Sequence, residues 1–165
     1  VLTNVKYKAL KGKDVHMKAV NEMKITFPSL SCNESLARSA IASFVSQLDP
    51  AVDELIDIRT AVSEAVTNCI VHAYPDGIGM ITIIAKIFED GRVQIKVKDK
   101  GIGIEDIKQA MEPLFTTGGE ERSGLGFSVM ESFTDRLHVT SAKGKGTTVT
   151  LEKYISMQHR QGKRS

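Results

Sequence analysis

The chain has 165 residues, 41% of them hydrophobic and 25% charged, the make-up of one soluble globular domain large enough to bury a core. Its longest apolar runs are only a few residues, which argues against a membrane span or a secretory signal. The net charge of +2 divides into +3 on residues 1–16, +3 on residues 156–165 and −4 on the body between them, a distribution that does not suit a direct nucleic-acid binder. Cys32 and Cys69 are isolated thiols without metal-ligand spacing, so a reduced, cytoplasmic setting is expected rather than a disulfide framework. Met17, preceded by His16, is read as the natural start. Residues 1–16 are then a disordered tag or extension, 17–155 the folded domain and 156–165 a basic tail.

In chain order, Met23–Phe27 reads as a short strand ended by Pro28. Ser31 with Glu34 three residues on has the form of a capping box, opening a helix to about Gln47. Asp49-Pro50 then reads as N-cap and first position of a second helix, running to about Ala73. Its apolar stripe is Leu55, Ile58, Val62, Ala65, Val66, Cys69 and Ile70. Met80–Phe88 is a strand, turned at Glu89-Asp90-Gly91 into a segment in which Val93, Ile95 and Val97 alternate with polar residues. The pattern breaks from Asp99 to Gly126, and Pro113–Glu121 within it has the look of a lid. Phe127–Phe133 is helical, and His138–Ser141 with Thr147–Lys153 forms a last strand pair. The expected fold is α+β, a two-layer sandwich of a mostly antiparallel sheet with helices on one face.

Four groups of residues bear on chemistry. Glu64 and Asn68 stand four apart on the long helix, so a potential base and a potential metal ligand share one face. Asp99-Lys100-Gly101-Ile102-Gly103 follows the alternating strand; its carboxylate can accept from an exocyclic amine, and its glycines allow a flat ring close to the backbone. Gly124 and Gly126 run into a helix whose first N–H groups suit a phosphate, and Arg122 adds a fork of donors. Thr147 shares a strand face with Val149 and Leu151, where its hydroxyl could help Asp99 hold a purine. Taken singly, each also fits a plainer account: a polar helix pair, an acidic turn, a flexible loop, a strand-forming threonine. His72, one turn beyond Asn68, fits either a site contact or a helix-terminal histidine favoured by the dipole.

The order of these groups along the chain resembles the ATP-binding family of gyrase, Hsp90, MutL and histidine kinases. Within that family, the phrases Asn33–Arg38, Gln47–Pro50, Asp53–Leu55, Ser63–Asn68 and Pro113–Thr117 resemble the small sporulation-type anti-sigma serine kinases, over roughly Asn21 to Lys153. The resemblance implies a Bergerat-type fold, ATP and Mg as cofactors, and a homodimer. It implies two partners, neither nucleic acid nor membrane: a sigma factor that is sequestered and an anti-anti-sigma protein phosphorylated on a serine. Glu64 would take the serine's proton and Asn68 would hold Mg. Asp99, Gly101, Gly103 and Thr147 would hold the base, Thr116, Thr117, Gly124 and Gly126 the phosphates, and Arg122 the transferred phosphoryl group. Arg38 would lie on the surface that both partners use. Three departures stand out: Lys100 replaces a more usual acidic residue, the segment 118–122 looks short and lacks a lysine, and Ala73 replaces an expected glycine. A general-stress anti-sigma kinase, or a nucleotide-dependent binding module without kinase activity, remains open at this point.

Overall fold

The computed structural model describes residues 3–7, 17–112 and 125–156. Six strands form one antiparallel sheet: β1 (Thr3–Tyr7), β2 (Ala19–Pro28), β3 (Met80–Phe88), β4 (Arg92–Lys98), β5 (Arg136–Ala142) and β6 (Gly146–Tyr154), in the order β1-β5-β6-β4-β3-β2. The helices are α1 (Asn33–Val45), α2 (Val52–Asn68), α3 (Ile107–Ala110) and α4 (Gly126–Phe133). The expected α+β sandwich is therefore observed. Residues 1–16, expected to lie outside the fold, contribute β1, whose five residues pair with Leu137–Ser141 of β5.

Strand alternation explains how one face of the sheet became the core. Ile83, Val97, Val149 and Val139 stand side by side across four strands, and Ala85, Ile95, Leu151 and Leu137 form the next row. All eight are buried, because a period of two sends every second residue to the same side. The helices cover this face with the 3.6-residue stripe of α2, of which Ile58, Val62, Ala65 and Val66 are buried, and with Ala37, Ile41, Phe44 and Val45 of α1. Truncating one of the larger of these side chains to alanine would cost about 2–5 kcal/mol. Lys153 fastens the two layers together, its Nζ 2.9 Å from Asp57 Oδ2 on α2.

Helix starts differ from expectation for definable reasons. Ser31 does not cap α1: the N-cap is Cys32, with no side-chain cap bond, and Glu34 instead accepts from Ser63 Oγ on α2 at 2.7 Å. Bridging two helices has displaced a local box. Asp49 is not the N-cap of α2 either. It takes a left-handed conformation (φ 53°) that closes the 3₁₀ turn Ser46–Leu48, and α2 starts after Ala51, whose N–H donates to Glu54 Oε2 at 2.9 Å. The long helix does not reach Ala73 as α-helix. It widens into a π turn over Cys69–Ala73, a rare geometry that is frequent beside functional sites.

Candidate active site

The π turn and the segment after β4 lock onto each other. Ile102 N–H donates to Ala73 O at 2.9 Å, and a Cβ on Gly101 would run into that same carbonyl, so only glycine allows the approach. Gly103 has φ +73° and its added Cβ would strike the Ala142 carbonyl, while Gly144 N–H donates to Ile102 O at 2.7 Å. The turn 99–103 is thus clamped between the end of the long helix and the β5–β6 hairpin. Ala73, which stands where a glycine was expected, is the residue that Gly101 packs against.

Asp99 is buried at 8% exposure. Its Oδ1 accepts from Gly101 N at 2.9 Å and Thr147 N at 3.1 Å, and its Oδ2 accepts from Cys69 Sγ at 3.6 Å. Burial pushes its carboxyl above the ordinary value, against the pull of the Gly101, Thr147 and Cys69 donors. Burial, then the charge of Asp99 and the bond to it, pushes the Cys69 thiol well up. Thr147 serves Asp99 through its backbone; its hydroxyl is 2.8 Å from Ser141 Oγ, which also receives Ile104 N–H at 2.8 Å. Gly146, at φ +84°, lies where a side chain would strike the Asp99 carbonyl.

One residue before Cys69 the second group begins. A Cβ placed on Gly126 would sit 3.2 Å from Glu64 Oε2, 3.3 Å from Asn68 Oδ1 and 3.4 Å from Asn68 Nδ2. The first residue of α4 is therefore laid against the carboxylate and the carboxamide of α2, with no side chain in between. Backbone N–H groups in the first turn of a helix have no acceptor within it, so this junction combines an anion-favouring helix end with a carboxylate and a carboxamide.

The structure brings together Glu64, Asn68 and Gly126, and separately Asp99, Gly101 and Thr147, the two groups joined through the Asn68–Cys69 peptide. Gly103 belongs to the scaffold of the Asp99 group. Thr116, Thr117, Arg122, Gly124 and the lid segment lie outside the described residues. Arg38 is on α1, half-exposed at 38%, with Nε 3.7 Å from Glu34 Oε1 and without a hydrogen-bond acceptor. Cys69, Ser141, Ala73 and Tyr74 were not singled out as site residues from sequence. Tyr74 accepts Lys100 N–H at 2.9 Å and donates to Met80 O at 2.7 Å, strapping the same turn. Only the position of Cys69, next to Asn68 on the inner stripe, carried a sequence signal for any of them.

A helix-bound carboxylate and carboxamide, a buried strand-end aspartate and a glycine-led helix in this order define an ATP-binding domain of the histidine kinase type. The family model for the histidine kinase-like ATPase domain matches residues 27–153. The anti-sigma F factor of Caldanaerobacter subterraneus subsp. tengcongensis is 57% identical over 136 residues, covering 82% of this chain and 94% of the relative. That of a Thermoanaerobacter species is 55% identical over 140 residues, covering 84% and 97%. The fold is shared with part of a solved structure of the RsbU and RsbW domains of a Mycobacterium tuberculosis protein, with a TM-score of 0.61 at 20% identity over 82% of this chain and 32% of that one. The chain belongs to the histidine kinase-like ATPase domain family and, within it, to the anti-sigma F factors.

Proposed function

We propose that the chain is an ATP-dependent protein-serine kinase that sequesters a sporulation sigma factor and phosphorylates a serine of an anti-anti-sigma protein. The contact of Gly126 with both Glu64 and Asn68 supports this most directly, because it sets a base, a hard oxygen ligand and a helix N-terminus around one space. The residues present fit a nucleotide. Asp99 keeps acceptor capacity on Oδ2 beyond the Cys69 bond, and Gly126 leaves room that a Cβ would fill. When bound, ATP supplies the phosphoryl group that is transferred.

The chain's own groups then divide the work. Asp99 accepts from the exocyclic amine of adenine, with its carboxylate held by the Gly101 and Thr147 amides. Asn68 Oδ1 would hold Mg, whose remaining positions suit phosphate oxygens and water. Glu64 takes the proton of the attacking serine hydroxyl, the task a carboxylate at this position can perform and an amide cannot. Arg122, with the Gly124 and Gly126 amides, offsets charge on the transferred group, and Thr116 and Thr117 bind the phosphates. The homodimer is part of the same proposal, as are both partners at Arg38.

Sigma-factor binding by calorimetry, with and without Mg-ATP, tests the coupling between site and partner. Tight binding only in the presence of nucleotide is expected. Equal affinity in its absence would separate sequestration from the nucleotide site and overturn the coupled reading.

A further inference from the structure

We infer that Cys69 is a positioning residue for base recognition, its thiol fixing the Asp99 carboxylate in the orientation that reads the 6-amino group of a purine. The inference rests on the nucleotide reading above. Its basis is the distribution of donors around one buried carboxylate. Oδ1 is committed to two backbone N–H groups, Gly101 at 2.9 Å and Thr147 at 3.1 Å. Those two bonds hold one oxygen against the backbone, and neither reaches Oδ2. The contact that fixes the second oxygen is Cys69 Sγ, 3.6 Å from Oδ2. A thiol has one weak hydrogen to give, so it can fix the direction of Oδ2 while leaving that oxygen able to accept from a ligand.

The placement of the thiol is rigid for reasons visible in the backbone. Cys69 opens the π turn, is 4% exposed, and sits in the core cluster with Val66 and Ala65. The far end of the same turn, Ala73, is bonded to Ile102 just beyond Asp99. One five-residue turn therefore holds the aspartate's segment through the Ala73 carbonyl and the aspartate's side chain through Cys69. The adjacent residue, Asn68, faces Gly126, so the same turn sets the base-reading end of the site relative to its phosphate end.

A purely structural cysteine and a positioning cysteine differ in what they do to discrimination. The test compares affinity for ATP with affinity for purine riboside triphosphate, which lacks the 6-amino group, by calorimetry in Mg on the full chain. The parent should prefer ATP. Cys69→Ala, and Cys69→Val as a second variant that refills the space, should shrink that preference about threefold to tenfold, the worth of one modest hydrogen bond. Cys69→Ser, which restores a donor, should recover most of it. Equal weakening of both nucleotides, leaving the ratio at the parent value in Ala and Val, overturns the positioning role. A parent that binds neither nucleotide overturns the nucleotide-site reading itself, and one that binds both alike overturns the reading of the 6-amino group by Asp99; either result removes this inference.

Discussion

Asp99 illustrates how a buried carboxylate can work against the stability of its own fold. Removal from water raises its carboxyl above the ordinary 3.8 despite three donors, so at neutral pH the folded protein holds a charge that the unfolded chain would hold more easily. A raised folded-state value means that the group's stabilising contribution is complete below the ordinary value and disappears as pH rises through the raised one. Asp99→Asn retains an oxygen for the Gly101 and Thr147 amides and removes the charge. Without nucleotide, the variant should melt at or above the parent at pH 7, and its advantage should shrink as pH falls through the carboxylate range. The same substitution should weaken ATP binding at least tenfold, since the acceptor becomes a group that competes as donor. Thermal melts between pH 7 and 4, with nucleotide titrations alongside, check both halves. An advantage that grows on acidification would contradict the burial account, and unchanged ATP affinity would remove Asp99 from the pocket.

Among the elements, α2 is the organising one, because it carries Glu64 and Asn68 and continues into the π turn. Its start is held by Glu54, which accepts from Ala51 N and, through Oε1, from Ser156 N beyond β6, each at 2.9 Å. Burial opposes the charge of Glu54. The Ser156 and Ala51 donors, with Lys153 nearby, outweigh that and hold its carboxyl below the usual 4.5. A lowered value gives stability present above 4.5 and lost as pH falls through the folded value. Glu54→Gln should therefore lower Tm by about 2–4 °C at pH 7, with parent and variant converging in acid; a constant difference down to pH 3 would mean the carboxylate's charge is irrelevant. Regular elements such as β4 were legible in the sequence, since Val93, Ile95 and Val97 alternate there with polar residues. The helix starts were not legible. Glu34 found a long-range partner in Ser63, and Asp49 was drawn into a left-handed turn, neither of which local sequence encodes. Of the candidate site, Asp99, Glu64 and Asn68 stood out in the sequence, the first as an acid at a strand end and the others as a carboxylate and a carboxamide four apart on one helix. Cys69 and Ser141 could not, because their roles come from pairing across 30 and 6 residues.

For the molecule as a whole, the sheet buries one face beneath the helices, while α1 carries Arg38 on the outside of the helical layer. Glu34 is shared there: it accepts from Ser63 and lies 3.7 Å from Arg38 Nε, which has no hydrogen-bond acceptor of its own. That Nε is buried, so an acidic group of a partner would meet the exposed part of the side chain, and arginines are frequent interface hot spots. Arg38→Ala should weaken binding of the sigma factor or the anti-anti-sigma protein at least tenfold. Its ATP affinity should stay at the parent value and its Tm within about 2 °C, since a half-exposed pair contributes little. Calorimetry with each partner decides it; unchanged affinity for both would take Arg38 out of the interface.

Under the proposed function, Glu64 makes this nucleotide site a serine kinase rather than a nucleotide-controlled clamp. The most direct test incubates the chain with Mg-ATP and the anti-anti-sigma protein and follows that protein's phosphorylation by mass spectrometry, for the parent and for Glu64→Gln. One phosphoserine is expected with the parent and a rate lower by at least about a hundredfold with the variant, while ATP affinity measured on the same sample is retained. Phosphoserine formed equally fast by Glu64→Gln would contradict the assigned base, and none formed by the parent would contradict the kinase.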